Sequence, residues 1–181
     1  MHDSLPPSPW IERWAHLLRP GATALDLACG SGRHVRFLAA RGLGVTAVDR
    51  DAAALVALRG VAEVIVADLE GAPWPLSGRR FDVVLVTNYL WRPLWPQLLA
   101  SLAPGGLLLY ETFAAGNETV GRPSRADFLL QPGELLQACA GLRIVGYEDG
   151  FLDAPPRFVQ RVAALAPDPA APSPLRVPLP S

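Results

Sequence analysis

A short glycine-containing segment in the first third of the chain has the composition of a ligand-binding turn. The segment Asp26-Leu-Ala-Cys-Gly-Ser-Gly32 follows an apolar run and precedes a predicted helix that begins at Arg33. Glycines allow the backbone to approach a ligand closely, and unpaired N–H groups at the start of a helix favour a carboxylate or phosphate. The pattern predicts a binding site for the anionic or polar tail of a cofactor.

Two further carboxylates follow the next two predicted strands. Asp49 ends the second strand, nineteen residues after Gly30, a spacing typical of a carboxylate that accepts hydrogen bonds from both ribose hydroxyl groups. Asp68 follows the third strand in VADLE, and we expect it to accept a hydrogen bond from an adenine amino group. Val35 occupies the position of the third glycine in a dinucleotide fingerprint, which argues against NAD.

The elements that must position these residues alternate between short apolar strands and helices, as in α/β proteins with a parallel sheet. Strands are predicted at 22–28, 44–49, 62–67, 81–87, 105–112, 142–149 and 157–165, and helices at 8–18, 33–41, 51–59, 93–102 and 132–140. The last two strands are expected to be antiparallel, because the connection FLDAPP is short. We expect an N-terminal extension and helix at 1–20, one domain at 21–166, and a Pro-rich disordered tail at 167–181.

Composition excludes several classes of function. The 181 residues include 17 acidic and 16 basic ones, so the net charge of −1 offers no excess field for nonspecific binding to nucleic acid or a membrane surface. Two cysteines are too few for a disulfide framework or a zinc site, and no metal is expected. The N-terminus lacks the features of a signal peptide, and no apolar run is long enough to span a bilayer. We therefore expect a soluble cytoplasmic protein.

At this point the sequence resembles the class I S-adenosylmethionine-dependent methyltransferases. The resemblance covers about residues 21–165 and rests on LDLACGSG, AVDRD, VADLE, FDVVLVTNYL and LAPGGLLLYET. It implies a single-domain, Rossmann-like, doubly wound sheet of seven strands in the order 3-2-1-4-5-7-6, with the last strand antiparallel. CGSGRH and YLWRPL further resemble the small bacterial tellurite-resistance branch of that family.

The resemblance also implies which residues bind the cofactor, S-adenosylmethionine. It places Asp26, Gly30 and Gly32 beside the methionine part of the cofactor, Asp49 at the ribose, and Asp68 with the backbone of Leu69 at the adenine. Ala28 replaces the first glycine of the usual motif, a change that should narrow the turn without blocking it.

The methyl acceptor is expected over the carboxyl ends of strands four and five, where the enzyme has to hold donor and acceptor in line. The candidate residues for contact with a small-molecule acceptor are His34, Asn88, Tyr89, Trp91, Arg92 and Arg122. His34 is a candidate general base or a helix-surface residue. Segment 114–132 is long enough for a lid or binding loop. Trp10 and Trp14 are either core residues or part of a lid.

Three functions are compatible with these observations. The leading one is methyl transfer from S-adenosylmethionine to a small molecule. A noncatalytic S-adenosylmethionine-binding regulatory subunit is the first alternative, because no catalytic acid or base is evident. An NAD-dependent oxidoreductase is the second and is disfavoured by Val35. The sequence identifies neither the acceptor nor the oligomeric state.

Overall fold

The computed structural model describes residues 5–180 and contains one seven-stranded sheet. Its strands are β1 Thr23–Leu27, β2 Gly44–Asp49, β3 Glu63–Val66, β4 Phe81–Thr87, β5 Leu102–Phe113, β6 Arg143–Asp153 and β7 Pro156–Leu165. The strand order is β3-β2-β1-β4-β5-β7-β6, and β7 runs antiparallel to both β5 and β6. The predicted fold class, strand order and antiparallel last strand are confirmed.

The helices are shorter than the sequence predicts. They are α1 Pro9–Arg13, α2 Arg33–Ala39, α3 Ala52–Val56, α4 Trp95–Ala100 and α5 Glu134–Ala138. Single 3-10 turns occur at Ala15–Leu17, Arg92–Leu94, Asn117–Thr119 and Ala126–Phe128. The helix predicted at 8–18 begins at Pro9 and ends at Arg13, and the helix predicted at 132–140 begins after Gly133 and ends at Ala138.

Two apolar clusters cover the two faces of the sheet. One cluster packs α1, α2 and α3 against the sheet and includes Trp10, Trp14 and Leu38. The other contains side chains from α4, α5 and the irregular β3–β4 connection, such as Leu98 and Leu76. Both faces of the central strands are therefore buried, which explains why strands such as β4 are almost continuously apolar.

Trp10 and Trp14 are core residues and not parts of a lid. Both are only 2% exposed, and their rings meet edge to face with centroids 5.7 Å apart. A side chain at position 146 would collide with the Trp14 ring, so Gly146 on β6 makes room for it. The N-terminal helix is thus packed into the same core as the sheet.

The ends of the chain have irregular structure where they are described. Residues 166–180 contain neither helix nor strand, and the carbonyl groups of Leu175 and Pro178 accept hydrogen bonds from Arg143 and His16. Residues 1–4 of the predicted N-terminal extension and Ser181 of the predicted tail lie outside the described residues. Within 5–180, no helix is long and apolar enough to cross a membrane.

Candidate functional site

The glycine turn and the second-strand carboxylate are in direct contact at the carboxyl edge of the sheet. The Gly30 amide donates to Asp49 Oδ2 at 2.8 Å, and the Asp51 amide donates to Asp49 Oδ1 at 2.9 Å. β1 and β2 are adjacent parallel strands, so their ends bring the two segments to the same edge. Each oxygen of Asp49 retains a lone pair that can accept a further hydrogen bond.

The turn has a strained backbone that only small residues accommodate. Gly30 and Gly32 have φ angles of 54° and 77°. A Cβ at position 32 would collide with the Leu58 side chain, which explains the glycine there. Ala28 also has a left-handed φ of 54°, a conformation that costs a residue with a side chain about 1–2 kcal/mol. This strain is the physical consequence of alanine at the first glycine position of the motif.

Asp26 lies beneath this turn with its carboxylate buried and unpaired. It is 1% exposed, and within the described chain neither of its oxygens has a hydrogen-bond partner. Burial raises the pKa of Asp26 to about 8; the positive charge of Arg33 and the nearby Val35 amide counteract this increase, and Asp49 adds to it. A buried, unsatisfied carboxyl group is costly unless a ligand supplies a donor.

A cavity of about 170 Å³ opens beside Asp49. It is lined by Ala28, Asp49, Arg50, Ala67, Asp68, Leu69, Glu70 and Tyr89. Four of the seven predicted cofactor-binding residues thus share one cavity wall, while Gly30 is bonded to Asp49 and Asp26 lies behind the turn. Arg50 and Glu70 were not predicted, although Arg50 directly follows Asp49 and Glu70 directly follows Leu69.

A second cluster of charged residues lies under the N-terminal segment. Glu111, at the end of β5, is fully buried. It accepts hydrogen bonds from Ser8 Oγ at 2.9 Å and Arg161 Nη1 at 3.1 Å, and Arg157 Nη2 lies 3.8 Å from it. Arg161 also pairs with Glu148 at 2.9 Å. Glu111 and Arg161 interrupt apolar strand sequences, and this is the sequence signal that could have identified them.

His34 joins this cluster as a neutral, buried imidazole. Its Nε2 accepts a hydrogen bond from the Ser8 amide at 3.0 Å, and its Nδ1 lies 3.3 Å from Thr87 Oγ1. Because Nε2 accepts, Nδ1 carries the proton. Burial, aided by the positive charge of Arg33, lowers the pKa of His34 to about 3. Both ring nitrogens are occupied, so the structure opposes the predicted role of His34 as a general base and also its placement on the helix surface.

The other predicted acceptor residues are separated by the structure. Arg92 forms a bidentate pair with Glu134, at 2.6 and 2.9 Å, and donates to two loop carbonyl groups, so its guanidinium anchors α5 and the preceding loop instead of facing an acceptor. Trp91 packs against the core cluster beside α4. Tyr89 lines the cofactor-side cavity. The structure thus gives these three side chains different partners, and their contact with an acceptor stays a prediction.

Asn88 lies between the cavity and the buried cluster. Its φ angle is 55°, a left-handed conformation that asparagine tolerates better than most residues, and its amide donates to the Glu111 carbonyl at 2.8 Å. Its side chain is exposed, so it remains a candidate for acceptor contact.

The predicted lid or binding loop is closely tied to β7. The side chain of Asn117 donates to the Pro123 carbonyl and accepts from the Phe158 amide, and it is only 1% exposed. No residue of this loop lines the cavity that the described part of the chain forms at Asp49. Arg122, predicted for acceptor contact, lies on its exposed part.

The comparisons with known proteins agree with this geometry. Residues 24–106 match the family model described as a methyltransferase domain. This segment contains β1 to β4, the glycine turn, Asp49 and Asp68. The match supports the predicted methyltransferase class of enzyme and the predicted cofactor, S-adenosylmethionine, over less than half of the chain. No curated protein sequence matches the chain.

Solved structures share the fold at low sequence identity. TehB from Haemophilus influenzae superimposes with a TM-score of 0.76 and 19% identity over 91% of this chain, which spans 64% of the TehB length. A TehB-like SAM-dependent methyltransferase from Corynebacterium glutamicum gives 0.62 and 20%, with 88% of this chain and 87% of that one covered. The [4+2]-cyclase SpnF gives 0.63 and 17%, with coverages of 88% and 79%. At this level of identity, these neighbours show that the fold is shared, and the tellurite-resistance branch stays a prediction from the sequence.

Proposed function

We propose that this protein transfers a methyl group from S-adenosylmethionine to a small anionic acceptor. The observation that carries the cofactor part is the 2.8 Å hydrogen bond from the Gly30 amide to Asp49, which joins the glycine turn and the ribose-binding carboxylate beside one cavity. Since the fold also hosts a cyclase, the function has to be argued from the site and not from the fold.

The residues present fit the cofactor. Asp49 has free lone pairs for the two ribose hydroxyl groups, and Asp68 lines the adenine end of the same cavity. The side chain of Asp26 has no hydrogen-bond donor in the described chain. The ammonium group of the methionine part of the cofactor would supply such donors. The bound cofactor supplies an activated methyl group on a sulfonium centre.

The protein's own contribution is to position the reactants. Holding a donor and an acceptor in line and in contact supplies much of the acceleration in a displacement reaction, and no nucleophile on the protein is required. His34 cannot accept a proton from the acceptor while Ser8 and Thr87 occupy both of its ring nitrogens. An acceptor that is already anionic needs no such base.

The charges around Glu111 favour an anionic acceptor. Arg33, Arg157 and Arg161 surround the buried carboxylate of Glu111. Arg161 also pairs with a second carboxylate, that of Glu148. Within residues 5–180, Arg157 Nε is buried without a hydrogen-bond partner. A planar guanidinium with unused donors is well suited to an oxyanion or carboxylate. We propose Arg157 and Arg33 as the acceptor-binding arginines.

The test begins with calorimetric titration of S-adenosylhomocysteine, followed by transfer of labelled methyl groups to matched anionic and neutral small molecules. We expect binding, and turnover on anionic acceptors. Arg157→Gln should raise the acceptor KM about tenfold or more and leave S-adenosylhomocysteine affinity unchanged, since a charge-assisted hydrogen bond contributes about 1.5–3 kcal/mol. The control is Arg125→Gln, which removes an exposed loop arginine paired with Asp127.

The alternatives predict other outcomes. Absence of binding by folded protein would refute the proposal, and tighter binding of NADH would favour an oxidoreductase. Binding without turnover on any acceptor would favour the noncatalytic regulatory subunit. Preference for neutral acceptors would refute the role of the arginines. A cytoplasmic location stays a prediction from the sequence.

A further inference from the structure

The hydroxyl group of Tyr89 is a buried donor without a partner in the wall of the cofactor-side cavity. Within residues 5–180, Tyr89 Oη has no hydrogen-bond partner, although it is shielded from solvent. The cavity has a volume of about 170 Å³, and Asp49 and Asp68 line the same wall. A buried hydroxyl group that lacks a partner costs free energy, and a ligand atom that pairs with it would offset this cost.

The surrounding structure fixes this side chain at the cavity. The backbone enters the segment through the left-handed residue Asn88, whose amide is bonded to Glu111. The Tyr89 carbonyl accepts a hydrogen bond from Tyr110 Oη at 2.7 Å, and the Tyr110 ring stacks on Trp95 with centroids 4.9 Å apart. The Tyr89 ring packs against the core cluster beneath. The Tyr89 side chain is therefore held at the cavity wall by a rigid frame.

The groups around the hydroxyl determine which ligand atom it can meet. Asp49, Asp68 and Glu70 line the cavity with carboxylates, which accept hydrogen bonds. Burial raises the pKa of Tyr89, and the charges of Glu70 and Asp68 raise it further, so the hydroxyl keeps its proton and can donate. A ligand here must offer donors to the carboxylates and one acceptor to Tyr89.

Adenine has this combination of groups. Its amino group is a donor for Asp68, and its ring nitrogens are acceptors. We infer that Tyr89 is a specificity-determining residue for the cofactor, whose hydroxyl donates to an adenine ring nitrogen while Asp68 accepts from the amino group. A purine with an oxygen in place of that amino group would set an acceptor against Asp68 and be excluded. This inference rests on the proposed function and reassigns Tyr89 from the acceptor to the cofactor.

The experiment measures affinity for S-adenosylhomocysteine by calorimetry in wild type, Tyr89→Phe and the matched control Tyr147→Phe. Tyr147 Oη is bonded to Asp149 and Gln160, away from the cavity. We expect Tyr89→Phe to weaken binding about 2- to 13-fold, the range of one neutral hydrogen bond, and Tyr147→Phe to leave it unchanged.

The 1-deaza, 3-deaza and 7-deaza analogues of S-adenosylhomocysteine identify the accepting nitrogen. One of the three analogues should bind the wild type as weakly as S-adenosylhomocysteine binds Tyr89→Phe. Tyr89→Phe should bind that analogue and S-adenosylhomocysteine with equal affinity. Unchanged affinity of Tyr89→Phe, or equal losses for all three analogues in both proteins, would overturn the inference alone. A wild type that binds none of these ligands would overturn the proposed function, and the inference with it.

Discussion

The proposed cofactor side and the proposed acceptor side differ in whether their charged groups have hydrogen-bond partners. On the cofactor side, Asp26 is unpaired within the described chain and Asp49 has accepting capacity left after binding two backbone amides. On the acceptor side, the carboxylate of Glu111 is held by Ser8 and Arg161. The first region has open acceptors, and the second has surplus cationic donors.

The two regions also differ in how the chain assembles them. Gly30 and Asp49 are 19 residues apart and lie at the carboxyl ends of two adjacent strands, in the turn after β1 and at the last residue of β2. Ser8 and Glu111 are 103 residues apart, and Arg161 is 50 residues beyond Glu111. A cofactor site composed of consecutive strand ends follows from the βαβ order, whereas the acceptor side depends on the N-terminal segment and β7 packing against β5.

The largest effect should come from Asp49→Ala. The substitution removes the proposed acceptor of both ribose hydroxyl groups and the bond that holds the Gly30 amide. Because hydrogen bonds to charged groups contribute about 1.5–3 kcal/mol each, affinity for S-adenosylhomocysteine should fall by about 100-fold or more. Calorimetric titration measures the change.

A neighbouring aspartate supplies the control for this variant. Asp51 caps α3 by accepting from the Ala53 and Ala54 amides. Asp51→Ala should cost about 1 kcal/mol of stability as a lost helix cap and leave affinity nearly unchanged. Equal losses of affinity in Asp49→Ala and Asp51→Ala would contradict the assignment of Asp49 as a ligand-binding carboxylate and of Asp51 as a helix cap.

Glu111→Gln should show the opposite pattern, a loss of stability with little loss of cofactor affinity. The variant leaves Arg161, with only 10% of its side chain exposed, without its buried counter-charge. Breaking a buried ion pair by removing one partner costs about 3–5 kcal/mol. Chemical denaturation measures the free energy of unfolding.

The matched comparison is Glu63→Gln, which breaks a half-exposed pair with Arg79. Exposed ion pairs contribute about 0–1 kcal/mol, so this variant should remain close to wild type. If the two glutamate variants are equally stable, the acceptor side is not the tightly coupled cluster described above.

The smallest effect concerns the pH dependence of binding at Asp26. With a pKa of about 8 in the free protein, the carboxyl has to release a proton before it can pair with an ammonium group. Affinity for S-adenosylhomocysteine should therefore rise about fivefold between pH 7 and 8. Asp26→Asn should bind more weakly at pH 8 and lose this rise, as titrations at the two pH values would detect.

The same group predicts how stability changes with pH. A carboxyl whose pKa is raised in the folded protein stabilises it below the unfolded value of 3.8, and this contribution is lost as the pH rises towards 8. Relative to Asp26→Asn, the wild type should lose free energy of unfolding over that range. A constant difference would contradict the buried, unpaired state of Asp26 in the free protein.

Much of the fold could be predicted because local patterns determine it. Continuous apolar strands such as β4 indicate burial on both faces, and the short FLDAPP connection requires an antiparallel pair. Helix lengths were less predictable, because the apolar pattern in the sequence continues past the last residue that forms a helical backbone hydrogen bond. Thus the predicted helix at 132–140 is limited to Glu134–Ala138.

The contacts of the predicted acceptor residues could not be read from the sequence, for a different reason. Tyr89 and Arg92 both follow β4, where the acceptor is expected. Although they are only three residues apart, their side chains have different partners. Arg92 turns to Glu134 on α5, while Tyr89 turns to the cavity. Sequence proximity gave no information about direction, which depends on packing against distant elements.

By itself, the sequence determined the alternating strands and helices, the glycine turn and the two aspartates that follow it, because each depends on residues within about one βαβ unit. Only the tertiary structure decided that His34 is buried and neutral with both ring nitrogens in contact with partners, that Ser8 and Arg161 bind Glu111, and that Tyr89 lines one cavity with Asp49. Burial and hydrogen-bond partners determine these roles, and both arise from segments that meet only when the chain is folded.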